Sequence, residues 1–108
     1  MPNIKFNYSY RDGANYKNFG FVIFDNPDGV SIEVVDSIIK SKLIDETWFY
    51  ADQWHLPELY LTTFDSKRDP TWHEFESIEY ADEAPNTTMT MAEFITLIQT
   101  NWPPCHLD

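Results

Sequence analysis

Hydrophobic residues recur along this chain with two different periods, and the switches between them predict its elements. Ile4, Phe6, Tyr8 and Tyr10 alternate with Lys5, Asn7 and Ser9, the two-residue period of a strand with one buried face. Residues 11–15 read as a turn, because Gly13 and Asn15 tolerate left-handed backbone angles. A second strand is predicted from Tyr16 to Phe24, with Phe19, Phe21 and Ile23 on one face and Val22 and Phe24 on the other. Apolar residues on both faces predict an interior strand, hairpinned to the first, with Gly20 as a bulge. Asn26-Pro27-Asp28-Gly29 then supplies strong turn chemistry.

The clearest periodic stretch is Ser31 to Leu43. At helical spacing Val34, Ile38, Val35, Ile39, Ile32 and Leu43 share one half of the cylinder, and Glu33, Asp36, Ser37, Lys40 and Ser41 share the other. Ser31 is the predicted N-cap, and Lys42, inside the apolar arc, sits in the last turn where its ammonium meets the helix carbonyls.

Downstream, Trp48 to Ala51 is a short aromatic strand candidate, Pro57 marks a break, and Leu59 to Phe64 has strand composition. Thr71 to Glu83 carries two periods: Trp72, Phe75 and Ile78 at three-residue spacing after Asp69-Pro70, and alternation of Ile78 and Tyr80 with Glu79 and Ala81. The strand is the favoured reading. Thr90-Met91-Ala92-Glu93 is a capping box opening a second helix on Met91, Phe94, Ile95, Leu97 and Ile98, ended near Thr100 by Asn101-Trp102-Pro103-Pro104. The order ββα-ββ(β)-α predicts an α+β fold, a two-layer sandwich of a mainly antiparallel sheet with two helices.

Length makes residues 1–108 one compact domain, since a chain of this size buries about two-thirds of its unfolded surface. With 4 Trp, 6 Tyr and 8 Phe, the core is expected to be built from few large side chains, leaving some rings free as contact anchors. Cys105 is the single cysteine and has no intramolecular disulfide partner, which favours a reducing compartment. No leader pattern or apolar run of about 18 residues occurs, so a cytoplasmic protein without a membrane span is expected.

The net charge is −11, and all of it comes from one part of the chain. Residues 1–43 balance Lys5, Arg11, Lys17, Lys40 and Lys42 against Asp12, Asp25, Asp28, Glu33 and Asp36, whereas beyond them only Lys67 and Arg68 face the remaining acids. Such a balance argues against direct binding to nucleic acid or an anionic membrane and favours a basic protein partner. Acidity also serves plain solubility.

Tyr10-Arg11-Asp12, Asn15-Tyr16-Lys17 and Gly20, with Trp72-His73-Glu74-Phe75 ahead of Asp82-Glu83-Ala84-Pro85, resemble a group of short uncharacterised bacterial proteins along most of the chain. The resemblance implies a compact bacterial cytoplasmic domain and carries no activity, ligand or site.

His73-Glu74-Phe75-Glu76 with Glu79, Asp82 and Glu83 is the strongest chemical cluster. On a strand, Glu74 and Glu76 share a face opposite to His73, and Ser77 stands where a zinc-protease helix needs its second histidine. A solvated acidic strand face is the simpler reading, so no catalytic residue, metal ligand or cofactor is assigned. Lone His55 and His106 read as partnered histidines, Arg11 and Asp12 as a local ion pair, and Gly13, Gly20 and Gly29 form no phosphate cradle. In the aromatic run Trp48-Phe49-Tyr50 with Trp54, consecutive rings cannot all face inward, and Asp45, Glu46, Asp52 and Glu58 border them.

The leading expectation is a non-enzymatic, inhibitor-like or immunity-like module for a basic partner. Trp48, Tyr50 and Trp54 would anchor it, and Glu74, Glu76, Glu79, Asp82 and Glu83 would steer it. One alternative is a hydrolase using His73 and the nearby carboxylates, and another is a homodimer built on the aromatic strands.

Overall fold

The computed structural model describes residues 2–11, 17–51, 53–57, 59 and 72–100. They form β1 (Asn3–Arg11), β2 (Lys17–Phe24), α1 (Ile32–Lys42), β3 (Trp48–Phe49), β4 (His73–Ala81) and α2 (Met91–Thr100). The strands make one antiparallel sheet in the order β2-β1-β4-β3. This is an α+β fold, and the segment around residues 73–81 is a strand. Its alternation outweighs the three-residue spacing because Tyr8 and Phe6 on β1 face Phe75 and Ile78 in register.

The inner face of β1 is the floor of the core. Ile4, Phe6, Tyr8 and Tyr10 are all buried, as alternation dictates. Phe6 is the hub, with its ring centroid 5.3–5.7 Å from four other rings: Tyr8 at 5.6, Phe49 at 5.6, Phe75 at 5.3 and Phe94 at 5.7 Å. Helix α2 lays Met91, Phe94 and Ile98 onto this floor, and Phe94 packs on Phe24 as a tilted pair with centroids 4.6 Å apart. Its capping box forms as read: Thr90 N–H donates to the Glu93 carboxylate at 2.8 Å, and Glu93 N–H donates to the Thr90 hydroxyl at 3.2 Å. Burial pushes the Tyr8 hydroxyl up to about 12, and that hydroxyl donates to the Pro57 carbonyl.

Several expectations are corrected. Helix α1 buries Val35 and Ile39, but Val34, at the margin of the apolar arc, is 49% exposed. Gly20 is no bulge, since β1 and β2 pair without a break through Tyr8 and Gly20. Its missing side chain makes room for Leu59, whose Cδ2 would lie 2.7 Å from a Cβ there. The bulge falls instead where β1 meets β4, between Asn7 and Tyr8, leaving Glu76 as the extra residue. β2 is an edge strand rather than an interior one. Its buried end arises because the Asn86 side-chain oxygen accepts from Ile23 N–H at 2.7 Å while Asn86 N–H donates to the Ile23 carbonyl at 3.2 Å. Only Trp48 and Phe49 of the run 48–51 are strand, and the following residues turn. His55 is exposed with φ of 56° rather than partnered and half-buried. The strand expected over 59–64, apart from Leu59, and the tail with Trp102, Cys105 and His106 lie outside the described residues, as does Asp12.

Candidate partner-binding site

The outer face of the sheet gathers the acidic cluster, and there the acids are partnered. Alternation places Lys5, Asn7 and Ser9 of β1 opposite Glu79, Ser77 and Glu74 of β4, with Glu76 at the bulge and Arg11 further along the same face of β1. Glu74 pairs with Arg11 at 3.2 Å and with Lys17 at 3.6 Å, and Glu76 pairs with Lys17 at 2.9 Å and accepts from the Ser9 hydroxyl. Glu79 accepts from the Asn7 amide at 2.8 Å, and Glu83 lies 3.8 Å from Lys5. The balanced charge of the first 43 residues therefore answers the acids of β4 across the sheet. Of the expected steering residues, Asp82 is exposed and has no partner among the described residues.

Glu76 shows how this ladder acts. Partial burial opposes its ionisation, but hydrogen bonds from Ser9 and Lys17 and the charges of Lys17 and Arg11 win, holding its carboxyl below the usual range. A carboxyl depressed by folding stabilises the native state above its unfolded value, and that contribution disappears as pH falls through the folded value. Glu76→Gln is expected to lower the urea midpoint at about pH 7 and to flatten its decline towards about pH 3; parallel acid profiles would disprove the coupling.

His73 is fully buried and lies across the sheet from those carboxylates. Its Nε2 accepts the Leu59 N–H at 2.9 Å, and its ring sits 5.0 Å from that of Tyr10 and 6.0 Å from that of Tyr8. An imidazole spent on a backbone amide within an aromatic shell reaches neither a substrate nor the glutamates. Among the described residues no three His, Cys, Asp or Glu side chains gather into a metal-sized group. His73 and the carboxylates of β4 therefore do not share one site.

The predicted anchors divide. Trp54 is core, stacked on Phe49 at 4.7 Å, because the turn after β3 folds it back under the sheet, so it is no surface anchor. Trp48 and Tyr50 instead line a cleft of about 310 Å3 with Ile44, Asp45 and Trp72. Its shape follows from local structure. After α1 the chain reverses in a tight hairpin, with Ile44 N–H donating to the Trp48 carbonyl at 2.8 Å and Trp48 N–H donating back at 3.0 Å. Asp45 and Glu46 carry it at φ of 51° and 60°, left-handed angles that side chains other than glycine and asparagine adopt at a cost of about 1 kcal/mol each. Trp48 then pairs with Glu74 while Phe49, paired with His73, turns inward. Trp72, immediately before β4, completes the wall and is 42% exposed.

Asp45 is exposed at this cleft and Glu46 is exposed beside it in the chain, and neither has an ion-pair partner among the described residues. Three amphipathic rings beside the Asp45 carboxylate form a surface suited to a cation, whose charge is drawn to ring faces and to the acid together. Trp72, which the sequence offers only within the three-residue spacing of Trp72, Phe75 and Ile78, carries no local signal of a place in this cleft. No known family, curated protein or solved structure matches the chain.

Proposed function

We propose that this protein is a non-enzymatic binding module for a basic protein, and that it holds a cationic side chain of that partner, arginine above all, in the cleft of Trp48, Tyr50 and Trp72. The observation that carries this reading is the coincidence of three rings with Asp45 in one open cavity. A planar guanidinium stacks on indole and pairs with a carboxylate at once, which is the chemistry of interface hot spots. The net charge of −11 supplies attraction at longer range. Because Glu74, Glu76, Glu79 and Glu83 are already engaged, steering falls to Asp45, Glu46 and Asp82, which have no ion-pair partner among the described residues. An inhibitor that covers the positive active site of a nuclease is one concrete form of such a module.

A defined probe tests this without the natural partner. A short arginine-rich peptide, titrated at low salt, is expected to shift the indole N–H resonances of Trp48 and Trp72 ahead of the buried Trp54. Trp72→Ala keeps the whole charge and is expected to weaken binding about tenfold, whereas mere polycation attraction to an acidic protein would be unaffected. Equal affinity for the variant, or shifts that bypass Trp48 and Trp72, would overturn the proposal.

A further inference from the structure

β2 presents an edge that no described segment covers over most of its length. The outward backbone groups of an antiparallel edge belong to alternate residues, and Asn86 bonding to Ile23 identifies which ones. Asp25, of the same parity, likewise gives its carbonyl to Met91 N–H at 2.8 Å. The outward groups of Lys17, Phe19 and Phe21 therefore face away from β1, and among the described residues they have no hydrogen-bond partner. The side chains on this open stretch are apolar and exposed: Phe19 at 66% and Phe21 at 45%.

The other free edge is different. Beyond Phe75, β4 carries the bulge and the side chains of Glu76 and Glu79, devices that discourage strand pairing. β2 carries neither a bulge nor an acid. Lys17 lies 5.0 Å from the ring of Phe19, and Lys5 lies 4.3 Å from that of Phe21, so each cation extends along a ring without covering the edge.

We propose that two copies of this chain pair through their β2 edges, antiparallel and about a two-fold axis at Phe19. Asn86 stops the open stretch at one end, and the register centred on Phe19 satisfies all three outward residues at once. Phe19 then faces its own copy, and Lys17 of each chain faces Phe21 of the other, forming about six backbone hydrogen bonds and two cross-strand cation–ring pairs. The edge is thus complementary to itself, which a two-fold interface requires. Local charge permits it: the nearby Glu74 and Glu76 are neutralised by Arg11 and Lys17, so the acids of the molecule are not concentrated where the copies meet. This surface is separate from the aromatic cleft, and dimerisation stands or falls independently of partner binding.

Sedimentation equilibrium over a range of protein concentration is the test. The native chain is expected to show a monomer–dimer equilibrium that tightens with added salt, since the two acidic copies repel. Phe21→Glu sets a carboxylate opposite Lys17 of the other copy and is expected to strengthen the dimer. Phe21→Lys sets two ammonium groups together and is expected to raise the dissociation constant about tenfold. Phe19→Pro, which removes an outward N–H and no intrachain ladder bond, is expected to leave a folded monomer by circular dichroism. A native monomer at every concentration, or equal effects of the two Phe21 substitutions, would overturn the proposal, as would edge pairing seen only with a foreign peptide.

Discussion

Phe6→Ala is expected to bring this protein to the verge of unfolding, with a loss of about 3–5 kcal/mol. Phe6 is fully buried at the centre of the sheet's inner face, and its ring meets Phe49 and Phe75 from the neighbouring elements and Phe94 from α2. The edge of Trp54 approaches it at 6.3 Å. Truncation removes the transfer free energy of the ring and leaves a cavity whose walls are themselves large rings. Such walls collapse poorly, because rotating one ring disrupts its contacts with the others. A domain of this size has only about 5–15 kcal/mol of stability in total. The melting midpoint should therefore fall by roughly 15–30 °C. Urea titration of Phe6→Ala and Phe6→Leu checks the assignment: the leucine variant, which refills part of the space, must lie between the alanine variant and the native chain. A loss below about 1 kcal/mol for alanine would mean that the hub lies elsewhere.

His73→Leu is expected to destabilise the fold by about 1–3 kcal/mol, and the reason is a single acceptor. Leucine fills much of the imidazole's volume among Tyr8, Tyr10 and Phe49, so packing changes little, but the Leu59 N–H loses the Nε2 it donates to at 2.9 Å. That bond ties Leu59 to the start of β4, while Leu59 also covers Gly20 and accepts from the Asn18 side chain at 3.1 Å. His73 thus pins Leu59 against the inner face beside β2. Hydrogen exchange at Leu59 should accelerate in the variant more than exchange in α1. Because Nε2 accepts, the proton of the neutral ring sits on Nδ1. A histidine serving catalysis would instead show loss of an activity with little change in stability, and that result would restore the hydrolase reading.

The site was half legible. That part of the run 48–50 lies outward is legible in the sequence, because three consecutive aromatic residues on an extended chain must send at least one ring outward, whatever the fold. Asp45 and Glu46 were recognised as their acidic border because they precede Trp48 directly. Trp72 was hidden, since it lies 24 positions from Trp48 and reaches the cleft only through the pairing of β3 with β4. Trp54 was misjudged for the converse reason: its neighbours are polar, but a turn after β3 carries its ring under the sheet.

Local order was determined by the sequence alone. The alternation of Ile4, Phe6, Tyr8 and Tyr10, the apolar half of α1 and the capping box at Thr90 each depend on residues close in the chain, whose geometry is set by backbone period and hydrogen-bond chemistry. These features were enough for the α+β class. Only the tertiary structure decided what the charges do and which strand is the edge. Glu74 and Glu76 looked like a free acidic patch until β4 was laid against β1, where Arg11, Lys17 and Ser9 meet them. β2 looked interior until the order β2-β1-β4-β3 placed it outermost with Asn86 over one end. Charge neutralisation and edge exposure depend on distances of a few ångströms between residues far apart in the chain, and strand order sets those distances.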